Sequence, residues 1–306
     1  MPKSKNAQRN ASHTLASQPK VQASVAGFGL RSPHIEDVIL TKPNAGFLEV
    51  HSENYFAKGG KSLQDLHKIA EIYPLSFHGV ALSLGSVSKP NKNHLAHLKK
   101  LIDTFNPALV SEHIAWSITD GVYLNDLLPL PYTQEALDVL CRNIDMTQQA
   151  LGRQILIENP SAYLSYNLPN MMSEAEFIHK AVEKTSCGVL LDVNNAFISS
   201  QNITKHQNTS KNPLEFMPFD AVQEIHLAGH HLQKTEGGTL LIDTHATQVC
   251  DEVWQLYQYV IKHTGSIPTL IEWDDDIPEL SVLLKEAEKA TEILQSIQHE
   301  GISHVA

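Results

Sequence analysis

The sequence predicts an α/β fold in which eight strand–helix units close into a (β/α)8 TIM barrel. Three observations lead there. From residue 25 onward, short apolar runs alternate with longer helix-like segments, the rhythm of parallel α/β architecture. The 306 residues are enough for such a barrel, for which about 250 is typical. Seven of the predicted strands also carry an imidazole or a carboxylate at or just before their C-terminal end: His51, His78, His113, Glu158, Asp192, His226 and Glu272. In a closed barrel the C-terminal strand ends surround one mouth, where active sites are built. A doubly wound open sheet, the competing fold, would spread the same residues along a line.

Taken in order, residues 1–24 are rich in Ser, Ala, Gln, Asn and Lys and lack an apolar stretch, and no acid precedes Glu36. They are predicted as a disordered tail ahead of a single barrel domain over residues 25–306. With Arg9 the only arginine in that tail, an organelle transit peptide is the weaker reading. The strands are predicted at residues 25–30, 47–51, 75–78, 108–113, 155–159, 189–194, 222–227 and 269–273. Helices are predicted at residues 34–40, 62–73, 92–106, 133–151, 173–184, a short piece near 213–218, 246–263 and 277–298. Thr133 and Ser173 suit helix N-caps, and Glu176 three residues after Ser173 makes a capping box. Residues 116–132, WSITDGVYLNDLLPLPY, read as a loop of aromatics and leucines, either a substrate wall or simply packed. The segment after Leu227 reads as a Gly/His loop ending in the triplet Asp243-Thr244-His245.

Charge and cysteine content narrow the function. The 23 Lys+Arg against 34 Asp+Glu give a net charge of -11, which argues against holding nucleic acid by broad phosphate neutralisation. Gly79 and Gly85-Ser86 lack the lysine and spacing of a phosphate-binding loop. Cys141, Cys187 and Cys250 are odd in number and show no CxxC spacing, so a reducing cytoplasm is expected and no disulfide framework. No apolar run approaches the ~18 residues of a membrane span, so no membrane partner is expected.

A lone histidine at a strand end is more often a hydrogen-bonded residue than a ligand. Several in one mouth are a different matter, because crowded carboxylates repel and burying them is costly, and bound cations are the simplest remedy. The candidate metal ligands are His51, His78, Glu158, Asp192, His226, Asp243, His245 and Glu272. One catalytic metal takes three or four protein ligands, so eight candidates predict more than one ion. A central carboxylate, Glu158 or Asp192, could bridge two of them. Mixed nitrogen and oxygen donors without a thiolate suit Fe, Mn or Zn. The adjoining Glu53, Asn54, Glu112, His113, Asn159, Asn194, Asn195, His230 and His231 are expected either to ligate metal themselves or to orient ligands, cap loops or contact substrate.

The motifs LEVHSENYF (48–56), SFHGVALSLGS (76–86), VSEHIAWS (110–117), ILIENPSAYL (155–164), GVLLDVNNAFISSQN (188–202), EIHLAGHH (224–231), IDTHATQV (242–249) and TLIEWDDDIPEL (269–280) together resemble the MbnB/TglH-like family. These are multinuclear iron enzymes of peptide natural-product biosynthesis, and the resemblance runs in register over residues 26–280. It implies a xylose-isomerase-like TIM barrel holding two or three iron ions on the eight ligands above. Glu158 would be the bridge, and Glu158, Asp192 and His226 would form the catalytic centre. Asn194 stands where characterised members can place a metal ligand and is a poorer one than histidine. The resemblance further implies an oxygenase that uses O2 to oxidise a cysteine of a peptide, with a small partner protein presenting that peptide. On the residues alone, a metal-dependent sugar isomerase or phosphodiester hydrolase remains an alternative. So does a non-enzymatic peptide-binding protein stabilised by metal.

Overall fold

The computed structural model describes residues 19–119, 121–204, 212–236 and 238–303. Most of the predicted tail, residues 1–18, lies outside the described residues. The chain enters the barrel through β1 (Gly27–Gly29) and continues with α1 (Ile35–Thr41), β2 (Leu48–His51), α2 (Lys61–Ala70), β3 (Leu75–Gly79), α3 (Lys92–Phe105) and β4 (Leu109–His113). A hairpin, β5 (Ala115–Thr119) and β6 (Val122–Pro129), precedes α4 (Gln134–Leu151), β7 (Leu156–Glu158), α5 (Glu174–Thr185), β8 (Gly188–Asp192) and α6 (Val193–Ser199). Next come β9 (Val222–Leu227), a second hairpin of β10 (His231–Thr235) and β11 (Gly238–Ile242), α7 (Asp251–Thr264), β12 (Thr269–Ile271) and α8 (Leu280–Ser303). Strands β1, β2, β3, β4, β7, β8, β9 and β12 pair in parallel and close on themselves, β1 bonding both β2 and β12.

The two-residue alternation of a strand explains how the barrel serves two purposes. Val50, Phe77, Ile157, Leu191, Ile225 and Ile271 belong to the buried apolar core. Each such side chain contributes about 1.5–3 kcal/mol relative to exposure. The residues flanking them in sequence, Glu49 and His51, Ser76 and His78, Glu158, Asp192, and Glu224 and His226, therefore turn to the other face and enter the barrel. Register sets them level: His51 pairs with His78, His113 with Glu158, and Asp192 with His226.

Several predicted boundaries are corrected. The strand predicted to reach Asn194 stops at Asp192, whose carboxylate caps α6 by accepting a bond from the Asn195 amide at 2.6 Å. Residues 116–132 are mainly a hairpin rather than a loop, and the segment after Leu227 holds another. Residues 213–218 form a turn and not a helix. The last two helices begin at Asp251 and Leu280, later than predicted, the second beyond Pro278. The predicted caps hold, with Thr133 and Ser173 accepting from the amides of Ala136 and Glu176.

Candidate metal centre

Glu158, at the end of β7, is the point on which the mouth converges. Its Oε2 lies 3.3 Å from His78 Nε2 and 3.3 Å from His113 Nε2. His113 Nδ1 is 3.1 Å from the Gly79 carbonyl, which can only accept, so Nδ1 carries the proton. Burial, first of all, pushes the His113 pKa down to about 4, so at neutral pH the ring is uncharged and its Nε2 is a bare lone pair. His78, held at Nδ1 by the Ser111 hydroxyl at 2.8 Å, is likewise driven well below the usual histidine range by burial and by neighbouring His113. The lone pair of His113 thus faces a carboxylate oxygen that has no hydrogen-bond partner among the described residues. Acceptors aimed at one another repel unless a cation or proton lies between them. Burial raises the Glu158 pKa well above its ordinary value, with nearby Asp192, Glu272 and Glu49 adding to the effect and His226 opposing it.

The same carboxylate closes a second group. One ligand atom from each of Glu158, Asp192, His226 and Glu272 falls within 4.8 Å of the others, as do those of His78, His113 and Glu158. Glu158 is common to both sets, which is the arrangement a bridging carboxylate requires. Asp192 spends Oδ1 on the α6 cap and leaves buried Oδ2 unpartnered. Burial and the adjacent Asp243 raise its pKa to about 7. His226 sits between carboxylates, with Nδ1 3.0 Å from Glu272 Oε2 and Nε2 3.3 Å from Glu49 Oε1. Burial opposes charge on this ring, but Glu49 and Glu272 outweigh it and lift the pKa well above normal. For Glu272, burial is outweighed by His245 and His226, which hold its carboxyl well below the usual range.

His245 joins the cluster from the loop after β11. Its Nε2 is 2.7 Å from Asp243 Oδ1 and its Nδ1 3.3 Å from Glu272 Oε2. The residue has φ 47°, a left-handed conformation unusual for a side-chain-bearing residue. Its carbonyl accepts the Asp274 amide at 2.8 Å, which ties this loop to the one following β12. His51 stands at the opposite edge, with Nε2 3.8 Å from Glu272 Oε1 and 3.2 Å from Arg31 Nη2. Arg31 also pairs with Asp274.

All eight sequence-predicted ligands are therefore drawn to one mouth, and the residues predicted to support them divide. Asn159 and the Asp192 backbone exchange two bonds of 2.9 Å, and Asn195 donates to the Asn159 carbonyl at 3.1 Å, so both fix the ends of β7 and β8. Asn194 donates to Asp243 at 3.0 Å and meets His230 Nδ1 at 2.9 Å. Its carboxamide oxygen is thus engaged by a ring nitrogen. Glu53 and Glu112 point elsewhere, accepting the amides of Val80, Ala81 and Leu82, and with His94 form a separate group that clamps the loop after β3. Gly79 is needed there, since a Cβ would come within 2.2 Å of Glu112 Oε1. Asn54 is exposed and lines no part of the mouth, and His231 lies exposed on β10. Arg31, Glu49, Glu224 and Asp274 are not singled out by sequence as functional. For Glu49 and Glu224 a signal exists, because each precedes a predicted ligand by the two-residue strand period.

Above the cluster opens a cavity of about 550 Å³. Its floor includes His51, His78, His113, His245 and Glu272, and its wall is the β5–β6 hairpin from Tyr123 to Leu127 facing Tyr163.

The donor set fits metal ions because two of its carboxylate oxygens are unsatisfied among the described residues. Glu158 Oε2 and Asp192 Oδ2 are buried without a hydrogen-bond partner, although buried polar atoms are normally satisfied. A dication would favour the ionised carboxylates and neutral imidazoles and so remove the conflict.

Comparison with known proteins agrees with this architecture. Residues 25–295 match the model of the RiPP precursor modification enzyme family MbnB/TglH/ChrH. A UPF0276 protein of Psychromonas ingrahamii is 48% identical over 279 residues, covering 91% of this chain and 97% of that one. A UPF0276 protein of Chromobacterium violaceum is 48% identical over 270 residues, covering 88% and 95%. Among solved structures, endonuclease IV from Thermus thermophilus superimposes with a TM-score of 0.53 at 13% identity, over 90% of this chain and 99% of that one. D-Psicose 3-epimerase with D-tagatose from Clostridium cellulolyticum gives 0.54 at 11% identity, over 89% and 98%. At such identities these likenesses establish the fold, a xylose-isomerase-like TIM barrel. The family model and the relatives together establish that the chain belongs to the MbnB/TglH/ChrH family of RiPP precursor modification enzymes.

Proposed function

We propose that this protein is a multinuclear non-haem iron oxygenase that modifies a cysteine of a peptide substrate, presented by a small partner protein. The observation that carries the reading is the sharing of Glu158 between two groups of cation-ready ligand atoms, of which His78, His113 and Glu272 line an open cavity. His51, His78, Glu158, Asp192, His226, Asp243, His245 and Glu272 would hold the metal, and His113 joins them on the geometry around Glu158. Glu158, Asp192 and His226 would be the catalytic core. Iron, when bound, supplies redox chemistry with O2 and an anchor for a thiolate; manganese or zinc would suit the donors but zinc would not supply the redox step.

The chain's own contribution is positional. Strand ends fix six of the eight proposed ligands, the loop after β11 carries Asp243 and His245, the bonds of Asn159 and Asn195 hold β7 and β8 level, and the hairpin wall with Tyr123 and Tyr163 narrows the approach to the floor. A peptide laid across the cavity would have its cysteine directed at the cluster while the rest of the chain remained on the rim. Held in that orientation, the reacting group no longer has to be found by diffusion. Family membership favours a peptide over a sugar or a phosphodiester as substrate.

The test is anaerobic reconstitution with Fe(II), followed by O2 uptake and mass analysis with short cysteine-containing peptides and small proteins encoded beside this chain. Cysteine-dependent O2 uptake, abolished by serine in place of cysteine and absent from zinc-loaded protein, is expected. Iron-loaded protein that consumes no O2 with any such peptide would overturn the reading and leave a metal-stabilised binding protein.

A further inference from the structure

Arg31 follows β1 and sends its guanidinium into the corner formed by His51, Glu272 and Asp274. Nη2 lies 3.2 Å from His51 Nε2 and 3.5 Å from Glu272 Oε1, and Nε lies 2.9 Å from Asp274 Oδ1, to which Nη2 also bonds. The corner is itself a candidate cation site, because one ligand atom from each of His51, Glu272 and Asp274 falls within 4.8 Å of the others. A guanidinium only donates, so His51 Nε2 is the acceptor and its lone pair is directed at Arg31. That lone pair is the one a metal ion on His51 Nε2 would need.

The placement is built into the fold. Gly29 leaves the space in which the guanidinium lies, since a Cβ there would come within 2.9 Å of Nη1. Nη1 is buried without a hydrogen-bond partner among the described residues, so the group is held along one edge, by Nε and Nη2. Glu158 differs in its company: among the described residues its ion pairs are with His78 and His113, and none is with a lysine or arginine.

Resting on the reading of the mouth as a metal centre, we propose that Arg31 is an intramolecular competitor for metal at the His51–Glu272–Asp274 corner. Its fixed charge compensates Glu272 and Asp274, and an ion ligated by His51 Nε2 has to displace it. Among the described residues the His78–His113–Glu158 group carries no such competitor, and the other Glu158 group meets Arg31 only through Glu272, which it shares with the corner. Metal therefore loads in order, first at Glu158 and last at His51, and Arg31 sets how much metal is required for the last step. The apparent affinity of the corner is its intrinsic affinity multiplied by the fraction of molecules in which Arg31 has moved aside.

The test uses Mn(II), a redox-stable probe, titrated anaerobically into the full chain and followed by calorimetry. The wild type should show tight binding and one distinctly weaker step. Arg31→Met, which keeps bulk and removes charge, should tighten the weak step by on the order of tenfold or more, the scale of a charge-assisted pair, and leave the tight steps alone. A merely structural role would weaken binding or leave it unchanged, and either result overturns the proposal while the metal centre stands. Should Arg31→Met fold poorly, the wild type can be read directly by titrating Zn(II) while following the Arg31 Nε–H resonance by NMR. It should move with the weak step and not with the tight ones; movement with the tight steps, or none at all, overturns the proposal. If no divalent metal binds wild-type protein, the metal-centre reading itself fails, and the competitor with it.

Discussion

His226 Nδ1 lies 3.0 Å from Glu272 Oε2, joining the end of β9 to the chain just beyond β12 across the floor of the mouth. The other ring nitrogen faces Glu49 at 3.3 Å. His226→Ala therefore removes a candidate metal donor and leaves two buried carboxylates without their His226 partner. Loss of at least one ion is expected by elemental analysis, with the far-UV circular dichroism of the barrel retained at 25 °C. The metal-free variant should lose about 3 kcal/mol in urea denaturation, the scale of breaking a buried pair. Full metal retention would remove His226 from the centre.

Asp192 gives the metal-free protein a pH signature. Its folded pKa is raised to about 7 by burial and Asp243, above the unfolded value of about 3.9. Between these values the folded chain keeps a proton that the unfolded chain has lost. The stability from this group is therefore full below pH ~4, falls as pH rises, and is gone above ~7. Metal binding needs the ionised form, so apparent affinity should rise toward pH ~7 and then flatten, with proton release on binding below it. Asp192→Asn should flatten the stability profile in this window; a profile unchanged by the substitution would contradict the assignment.

The loop after β3 depends on one buried amide. Asn143 of α4 donates to the carbonyls of Leu84 and Ser86, both at 2.8 Å, and of Ser88 at 3.2 Å. Asn143→Ala leaves those carbonyls without their donor at a cost of about 1–3 kcal/mol. Urea denaturation should show that loss with metal content intact, and unchanged stability would mean water replaces the amide freely.

The strand ends are legible in the sequence because a polar residue closing an apolar run has few explanations in a parallel sheet. Arg31 and Asp274 are not, because their roles arise from contact between loops 243 positions apart in sequence. Glu49 can be found by counting back two from His51. The hairpins are masked by apolar residues in an apparent loop, although Asp120-Gly121 and Gly237-Gly238 are hairpin-turn dipeptides. Helix α6 escapes the pattern because its first two residues, Val193 and Asn194, read as the end of the strand before it. The cap that reverses the backbone is the same Asp192 that the ligand pattern assigns only to metal.

Tyr163 offers a milder perturbation. Its hydroxyl oxygen accepts the Asp243 amide at 2.9 Å and so steadies the loop that carries His245. Tyr163→Phe removes that acceptor, and metal affinity measured by calorimetry should weaken by a few-fold, about 1 kcal/mol, with the same number of ions at saturation. A lower ion count at saturation would mean the hydroxyl does more than hold the loop.

The most direct measurement is the ion count of anaerobically purified Glu158→Gln beside that of His78→Ala. Glutamine keeps the shape of residue 158 but removes the charge shared by two groups of ligands, whereas His78 belongs to one of them. Two cations close together repel strongly in a low-dielectric site unless an anion lies between them. Glu158→Gln should therefore lose more than one ion per chain and His78→Ala about one. Equal losses would contradict a shared carboxylate and leave Glu158 a ligand to a single ion.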